Sequence, residues 1–193
     1  MKTRNRLSNT PIRLIALTWM IFTLSVFSPT AALAASASAI DRDARASLAQ
    51  LYQNTPGAKA LADKAVAILV FPSIVKGGFI IAGQFGDGAL RKNNKSVAYY
   101  RSLAASYGFQ AGIQAFCYVL FFMDDASLQY LDNSEGFELG VGPSLVVLDA
   151  GFGKNLSTTT LQKGVYAFIF DQKGLMGGVG IQGTKITRIN PYP

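Results

Sequence analysis

One glycine-rich apolar stretch, residues 71–90, constrains the fold more than any other part of the sequence. It reads FPSIVKGGFIIAGQFGDGAL and carries five glycines among large apolar residues. From Phe79 onward, apolar residues occupy both parities of a two-residue period, which predicts a strand covered on both faces. Glycine weakens the interior of a strand unless a bulge, a bend or a close approach requires it. The stretch therefore predicts either a bent core strand or a strand whose small residues leave room for a ligand.

Short glycine- and aromatic-containing motifs lie in and after this stretch. They are Val70-Phe71-Pro72, Lys76-Gly77-Gly78-Phe79, Gly86-Asp87-Gly88, Ser106-Tyr107-Gly108, Gln110-Ala111-Gly112, Gly140-Val141-Gly142-Pro143, Tyr166-Ala167-Phe168, Lys173-Gly174-Leu175-Met176 and Gly180-Ile181-Gln182-Gly183. Together they resemble the signature of the SYLF domain family. The resemblance covers nearly everything after about residue 40. SYLF domains occur in secreted bacterial proteins and, in eukaryotes, beside SH3 and FYVE modules. The resemblance implies binding to phospholipid membranes, with phosphoinositides as ligands of the eukaryotic members, rather than catalysis.

The first 34 residues have the composition of a Sec-type signal peptide. The segment begins with basic residues and no acids, continues with a mostly apolar run at 14–27, and ends with Ala32-Leu33-Ala34, which supplies small residues for cleavage. The apolar run is short for a membrane span, although an uncleaved anchor is the alternative. We therefore expect residues 35–193 to form a single domain in an extracytoplasmic compartment, and we favour the bacterial periplasm.

Removal of the signal peptide changes the charge balance. The chain has 18 basic and 11 acidic residues, and four of the basic ones lie in residues 1–34, which leaves 14 against 11, or a net charge of +3. This mild excess suits an anionic phospholipid surface, whereas scattered basic residues do not predict a nucleic-acid partner. The single cysteine, Cys117, permits no internal disulfide, and its apolar surroundings predict a buried thiol.

The whole pattern predicts an α+β fold, in which N-terminal helices pack on a strongly curved, barrel-like antiparallel sheet of about six or seven strands. Apolar residues at helical spacing predict a helix from Ile40, a break at Pro56 and Gly57, and a second short helix at residues 58–64. The first helix packs on the sheet or, alternatively, lies on a membrane surface.

Alternating apolar patterns and turn residues predict the elements after residue 78. They are a hairpin at 79–101 that turns at 91–95, a long strand at 106–123, a short helix at 126–131 capped by Asp124 or Asp125, a bent strand at 137–148, and a second hairpin of strands 156–170 and 175–189 that turns at 171–174.

The residue types present argue against an enzyme. The chain contains no histidine, so the commonest general base and zinc ligand is missing. The Gly-x-Gly-x-x-Gly sequence at 178–183 lies within a predicted strand and opens no helix, which excludes a dinucleotide site there. Acidic residues between 124 and 138 are better explained by a helix cap and a solvated face than by calcium binding. We expect no catalytic activity, no cofactor and no metal.

Five cations near the glycine-rich stretch are the candidate residues for binding lipid headgroups. They are Lys64, Lys76, Arg91, Lys92 and Lys95. Each cation close to an anionic membrane contributes about 1 kcal/mol, so the predicted affinity is moderate and falls with salt. Lys76 is singled out because it adjoins Gly77 and Gly78 in the family motif. For the three cations at residues 91–95, an ordinary solvated hairpin tip is the alternative.

Two other functions are compatible with the sequence. Glycine- and aromatic-rich strands after a signal peptide are also typical of a small outer-membrane β-barrel, although the predicted strand number and the final Pro193 argue against one. A soluble carrier would hold a lipid acyl chain inside the curved sheet, with Gln84, Gln110 and Gln114 at its polar end.

Overall fold

A computed structural model of the protein describes residues 35–133, 137–138, 145–148 and 164–193. In chain order the elements are α1 (Ala37–Asn54), α2 (Pro56–Ala62), β1 (Ala67–Lys92), β2 (Lys95–Phe122), α3 (Asp125–Asn133), β3 (Phe137–Glu138), β4 (Leu145–Leu148) and β5 (Val165–Ile189). The predicted α+β class is confirmed.

Within the described residues the sheet has five strands in the order β1-β2-β5-β3, and it is not closed. All these pairs are antiparallel, while β4 pairs parallel with the start of β5. The prediction of six or seven strands in a barrel-like sheet is not confirmed. Part of the difference arises because β2 and β5 each form one continuous strand where the sequence predicts two.

The hairpin between β1 and β2 turns within the predicted segment 91–95. Its two turn residues, Asn93 and Asn94, have φ values of 49° and 62°. These left-handed conformations are those of a type I′ turn, whose twist matches that of the flanking strands. Lys92 and Lys95 face each other across the turn. The predicted hairpin is confirmed, with strands far longer than the sequence suggests.

The predicted hairpin turn at residues 171–174 is wrong, because β5 continues through this segment. Phe170 pairs with Cys117 and Lys173 pairs with Ala115, so two residues of β5 face one residue of β2. This is a β-bulge, in which the extra residue can adopt a left-handed conformation, as Asp171 does, without ending the strand pairing. The predicted strand segment 156–163 lies outside the described residues, and the predicted strand 137–148 is described only at β3 and β4.

Strand β1 doubles back on itself, and close backbone contacts show this directly. A Cβ atom at Gly86 would lie 2.7 Å from the Ser73 carbonyl oxygen, and one at Gly88 would lie 2.4 Å from the Val70 carbonyl oxygen. The start and the end of β1 also line one cavity, of about 440 Å³, beside the β1–β2 turn. The sheet is therefore folded over near the middle of β1, with an open end at the cavity.

Two apolar clusters stabilise this arrangement. The first joins the two halves of the folded sheet with α3 and includes Phe71, Ile74, Tyr100 and Ile186. The second lies beneath α1 and α2, where buried residues recur on one face of α1. Along the first five residues of β1, side chains alternate between the two clusters, as expected for a strand covered on both faces.

Backbone capping explains where the helices begin. The Ser36 hydroxyl accepts a hydrogen bond from the Ala39 N–H at the start of α1. Pro56 is the first residue of α2, where a missing N–H costs no helical hydrogen bond, so it opens the second helix rather than merely breaking the first. Asp124 accepts from the Ser127 N–H before α3 and from the Gly164 N–H at the start of β5. The helix cap predicted at this aspartate is confirmed.

Candidate functional site

The bend of the sheet is produced by an irregular pairing between β1 and β2. Phe79 pairs with Ala111 and Ile81 pairs with Tyr107, so Ile80 alone faces three residues of β2. Ile80 has a φ of 63°, a left-handed conformation that costs a β-branched residue roughly 1–2 kcal/mol. Such strain persists only where the surrounding structure holds it in place, and it often marks a functional position.

Glycine is required where the chain turns over. A Cβ atom at Gly78 would lie 2.2 Å from the carbonyl oxygen of Ile81, and one at Gly112 would lie 2.1 Å from the carbonyl oxygen of Leu175. Both distances are far below van der Waals contact, so a side chain at Gly78 would displace the backbone of β1 and one at Gly112 would displace that of β5. The Lys-Gly-Gly-Phe motif therefore has a structural reason: it lets β1 fold sharply over itself.

Large apolar side chains project into solvent around this bend. We call them the bend patch, and they are Phe79, Ile80, Ile81, Tyr107, Ile113 and Leu175. Five of them are between 66% and 89% exposed, and Ile80 is 44% exposed. Two cross-strand pairs hold the patch together, because Ile81 faces Tyr107 and Ile113 faces Leu175. Solvent-exposed apolar groups gathered in this way are typical of an interaction surface.

An ion pair joins β1 to β2 between the bend patch and the β1–β2 turn. Asp87, from the Gly-Asp-Gly motif, accepts hydrogen bonds from Nε and Nη2 of Arg101 at 2.7 and 2.9 Å. The Arg101 guanidinium also lies 4.8 Å from the centre of the Phe85 ring. The hydrogen bonds to Asp87 raise the pKa of Arg101, which keeps the pair charged. This pair joins β1 to β2 at residues that face each other in the sheet.

The structure separates the five predicted headgroup cations into two groups. Lys76 lies near the bend patch, partly buried and facing Gln114 on β2. The other four lie at the open end. Lys64, Lys92 and Lys95 are exposed there, whereas Arg91 is buried. The bend at Ile80 is twelve residues from Lys92, or roughly 40 Å of strand at 3.3 Å per residue.

Arg91 is held by the hairpin turn rather than presented to solvent. It is 7% exposed, and its guanidinium donates to the Ser96 hydroxyl at 3.3 Å and to the Asn94 carbonyl oxygen at 2.5 Å. Lys64 lies just after α2. The residue before it, Asp63, lines the same cavity as Arg91 and Lys92. Two of the four cations at the open end, Arg91 and Lys92, thus line a cavity instead of forming part of a flat basic surface.

Sequence reasoning missed the bend patch. Because apolar residues occupy both parities between Phe79 and Phe85, the sequence predicts a covered strand there, yet Phe79 and Ile81 are mostly exposed. One signal in the sequence does mark the bend: glycines recur near the middle of all three long strands, at Gly78, Gly112 and Gly177, and these positions lie within one residue of each other in the sheet register.

The remaining predicted features are placed as follows. Cys117 is buried, its thiol donates to the Pro72 carbonyl oxygen at 3.0 Å, and burial raises its pKa, which confirms the predicted buried thiol. Gln84 is buried and Gln114 is partly buried, while the side chain of Gln110 lies outside the description. In the described ranges, no helix combines the length and the apolar content needed to cross a membrane.

The C-terminal half of the sheet is similar to a known family. Residues 103–190 match the family model described as Ysc84, Las17-binding protein actin regulator. Curated proteins give no significant match to the chain. The matched segment includes β2 from Leu103 and all of β5, which are two of the three strands that carry the bend patch.

Proposed function

We propose that this chain is a non-catalytic domain that binds phospholipid membranes through the bend patch. One support is the match of residues 103–190 to the Ysc84 (SYLF) family model, which agrees with the resemblance of the motifs. The observation that carries the proposal is the exposure of several large apolar side chains at one bend of the sheet. Side chains of this kind contribute to membrane binding by entering the boundary between headgroups and acyl chains.

The bend patch has the features of an inserting surface. Its apolar residues come from three strands that pair in the order β1-β2-β5, so the sheet holds them close together on one rigid support. Tyr107 adds an aromatic ring with a polar tip, which suits the interface between lipid and water. Burying one Leu or Ile side chain contributes roughly 1.5–3 kcal/mol when burial is complete.

Charge has a smaller role at this surface than the sequence suggests. Lys76 is the predicted cation nearest the bend patch, and one cation near an anionic membrane contributes about 1 kcal/mol. Lys92 and Lys95 lie at the other end of the folded sheet. We therefore expect binding to anionic vesicles to weaken only modestly with salt, because apolar insertion is not screened.

Co-sedimentation of the purified protein with vesicles tests the proposal. Ile81→Ser and Leu175→Ser are each expected to weaken binding about tenfold, since losing part of one apolar contact costs roughly 1.4 kcal/mol. Val97→Ser is the matched control, because Val97 is 50% exposed but lies next to the β1–β2 turn. Lys76→Glu is expected to weaken binding to anionic vesicles and to leave binding to neutral vesicles unchanged.

Two results would contradict the proposal. Binding that survives both patch substitutions but is lost in a Lys92→Glu, Lys95→Glu double variant would move the membrane contact to the open end. Absence of binding to neutral and anionic vesicles alike, at low and high salt, would remove the membrane function altogether.

The proposed compartment is the periplasm or another extracytoplasmic space, and the support is the signal-like composition of residues 1–34. The description of the matched family names Las17 and actin regulation. Because the proposed compartment lies outside the cytoplasm, we propose lipid rather than actin as the partner. Expression in a bacterium, followed by fractionation of the cell envelope, tests export. Mass spectrometry of the purified protein's N-terminus then tests cleavage.

A further inference from the structure

The open-end cavity is lined by groups that fit a ligand. It lies between α1, the segment after α2, and both ends of β1. Its polar lining includes three cations and one acid, namely Arg45, Arg91, Lys92 and Asp63, which gives a formal net charge of +2. The acid already has a partner, because Lys59 pairs with Asp63. The cavity therefore presents an excess of positive charge to whatever occupies it.

Arg91 is the residue that makes this cavity unusual. Its side chain is buried, and its two hydrogen-bond acceptors in the described residues, the Ser96 hydroxyl and the Asn94 carbonyl, are both neutral. Among the described residues no carboxylate lies within ion-pair distance of it. A buried guanidinium without a counter-charge is costly, and an anion bound in the cavity would remove that cost.

The turn holds Arg91 in place before a ligand arrives. Asn93 and Asn94 adopt the left-handed conformations of a two-residue turn, and the Asn94 carbonyl oxygen accepts from Nη2 of Arg91. Both asparagines also line the cavity. Because the guanidinium is fixed by the backbone, little side-chain freedom is lost when it binds a second partner.

We propose that the open-end cavity binds a phosphate group carried by a small organic body. An arginine fork matches the geometry of phosphate oxygens, and a phosphate charge of −1 to −2 balances the net charge of the lining. The cavity volume of about 440 Å³ exceeds the needs of a bare ion, and Leu48, Ala62 and Ile68 supply apolar wall for the attached body. The phosphate belongs either to a headgroup such as glycerophosphate or to a free small molecule.

This site is distinct from the proposed membrane surface. The cavity lies at the open end of the folded sheet, whereas the bend patch lies at the other end of the same strands. A soluble ligand can therefore be measured without vesicles, and the outcome does not depend on whether the bend patch inserts into lipid.

Isothermal titration calorimetry of the full chain with sn-glycerol 3-phosphate, inorganic phosphate and glycerol tests the proposal. We expect glycerol 3-phosphate to bind, and glycerol, which lacks the charge, not to bind. Arg45→Gln and Lys92→Gln are each expected to weaken binding about tenfold or more through loss of a charge-assisted contact. Lys95→Gln is the matched control, because Lys95 faces Lys92 across the turn but does not line the cavity.

The three ligands also test whether the cavity uses an organic body attached to the phosphate. Tighter binding of glycerol 3-phosphate than of inorganic phosphate supports the attached body, and equal binding of the two overturns it. Titration with vesicles that contain phosphatidylglycerol then separates a lipid headgroup, which binds there, from a free small molecule, which binds only in solution. Absence of binding by both phosphates overturns the proposal. An equal loss in Lys95→Gln and Lys92→Gln also overturns it, because attraction would then reflect net charge and not the cavity. Arg91→Lys, checked for folding by circular dichroism, is expected to weaken the binding of both phosphates, because lysine keeps the charge but lacks the guanidinium fork.

Discussion

The ion pair between Asp87 and Arg101 leads to an asymmetric prediction about stability. The Asp87 side chain is 7% exposed, whereas that of Arg101 is 29% exposed. Arg101→Leu leaves a carboxylate buried without a partner, which costs about 3–5 kcal/mol of unfolding free energy. Asp87→Asn leaves a guanidinium that still reaches water and can rehydrate, so the expected cost is only about 1–2 kcal/mol. The prediction is that Arg101→Leu lowers the unfolding free energy more than Asp87→Asn does.

The expected cost of Arg101→Leu is large relative to the total unfolding free energy of a domain. Domains of ordinary size have unfolding free energies of about 5–15 kcal/mol, so Arg101→Leu removes a substantial fraction. At roughly 2–4 °C per kcal/mol, its melting temperature falls by roughly 6–20 °C. Urea denaturation followed by circular dichroism measures the free energies, and a thermal melt gives an independent reading. Phe85 keeps an apolar neighbour in Arg101→Leu, so the loss reports mainly on the unpaired charge.

A double variant provides the control. Replacing both residues with leucine removes the buried charge and its partner together, so the double variant is expected to be more stable than Arg101→Leu alone. The reasoning is refuted if Asp87→Asn costs as much as Arg101→Leu, or if both cost less than about 0.5 kcal/mol, the level typical of exposed pairs.

Three further expectations concern backbone packing, strain and pH. Gly88→Ala places a methyl group 2.4 Å from a backbone oxygen and is expected to cost about 1–3 kcal/mol or more in urea denaturation, whereas Gly83→Ala meets no atom within 4 Å and is expected to be nearly neutral. Ile80→Gly relieves a left-handed conformation but gives the unfolded chain more freedom, so the unfolding free energy is expected to change by less than about 1 kcal/mol while vesicle binding weakens. A loss above about 2 kcal/mol would show that relief of strain is not offsetting the lost side chain. Burial raises the pKa of Tyr52 to about 12, whereas the same group in the unfolded chain ionises near pH 10. The folded state is therefore stabilised fully below pH 10, and this stabilisation is lost as the pH rises towards 12. Urea denaturation at pH 9 and pH 11 is expected to show a smaller fall in unfolding free energy for Tyr52→Phe than for the natural chain. An equal fall in both would show that other groups cause the pH dependence.

Sequence patterns identified features that depend on near neighbours in the chain. The α+β class, the hairpin turn at residues 91–95 and the cap at Asp124 follow from turn residues, side-chain caps and periodicity, which act over a few positions. The SYLF motifs were identified in the same way and agree with the family matched by residues 103–190. The buried Cys117 followed from the apolar run around it.

Only the tertiary structure decided which apolar residues are covered and which cations meet. A strand pattern shows that side chains alternate, but the doubling-back of β1 determines that Phe71 is buried and Phe79 is exposed. The segment 171–174 has the composition of a turn, yet pairing with the continuous strand β2 keeps it within β5 as a bulge. Arg91 likewise enters a cavity only because the two ends of β1 come together. In each case the deciding contacts join residues far apart in the chain, and local propensity carries no information about them.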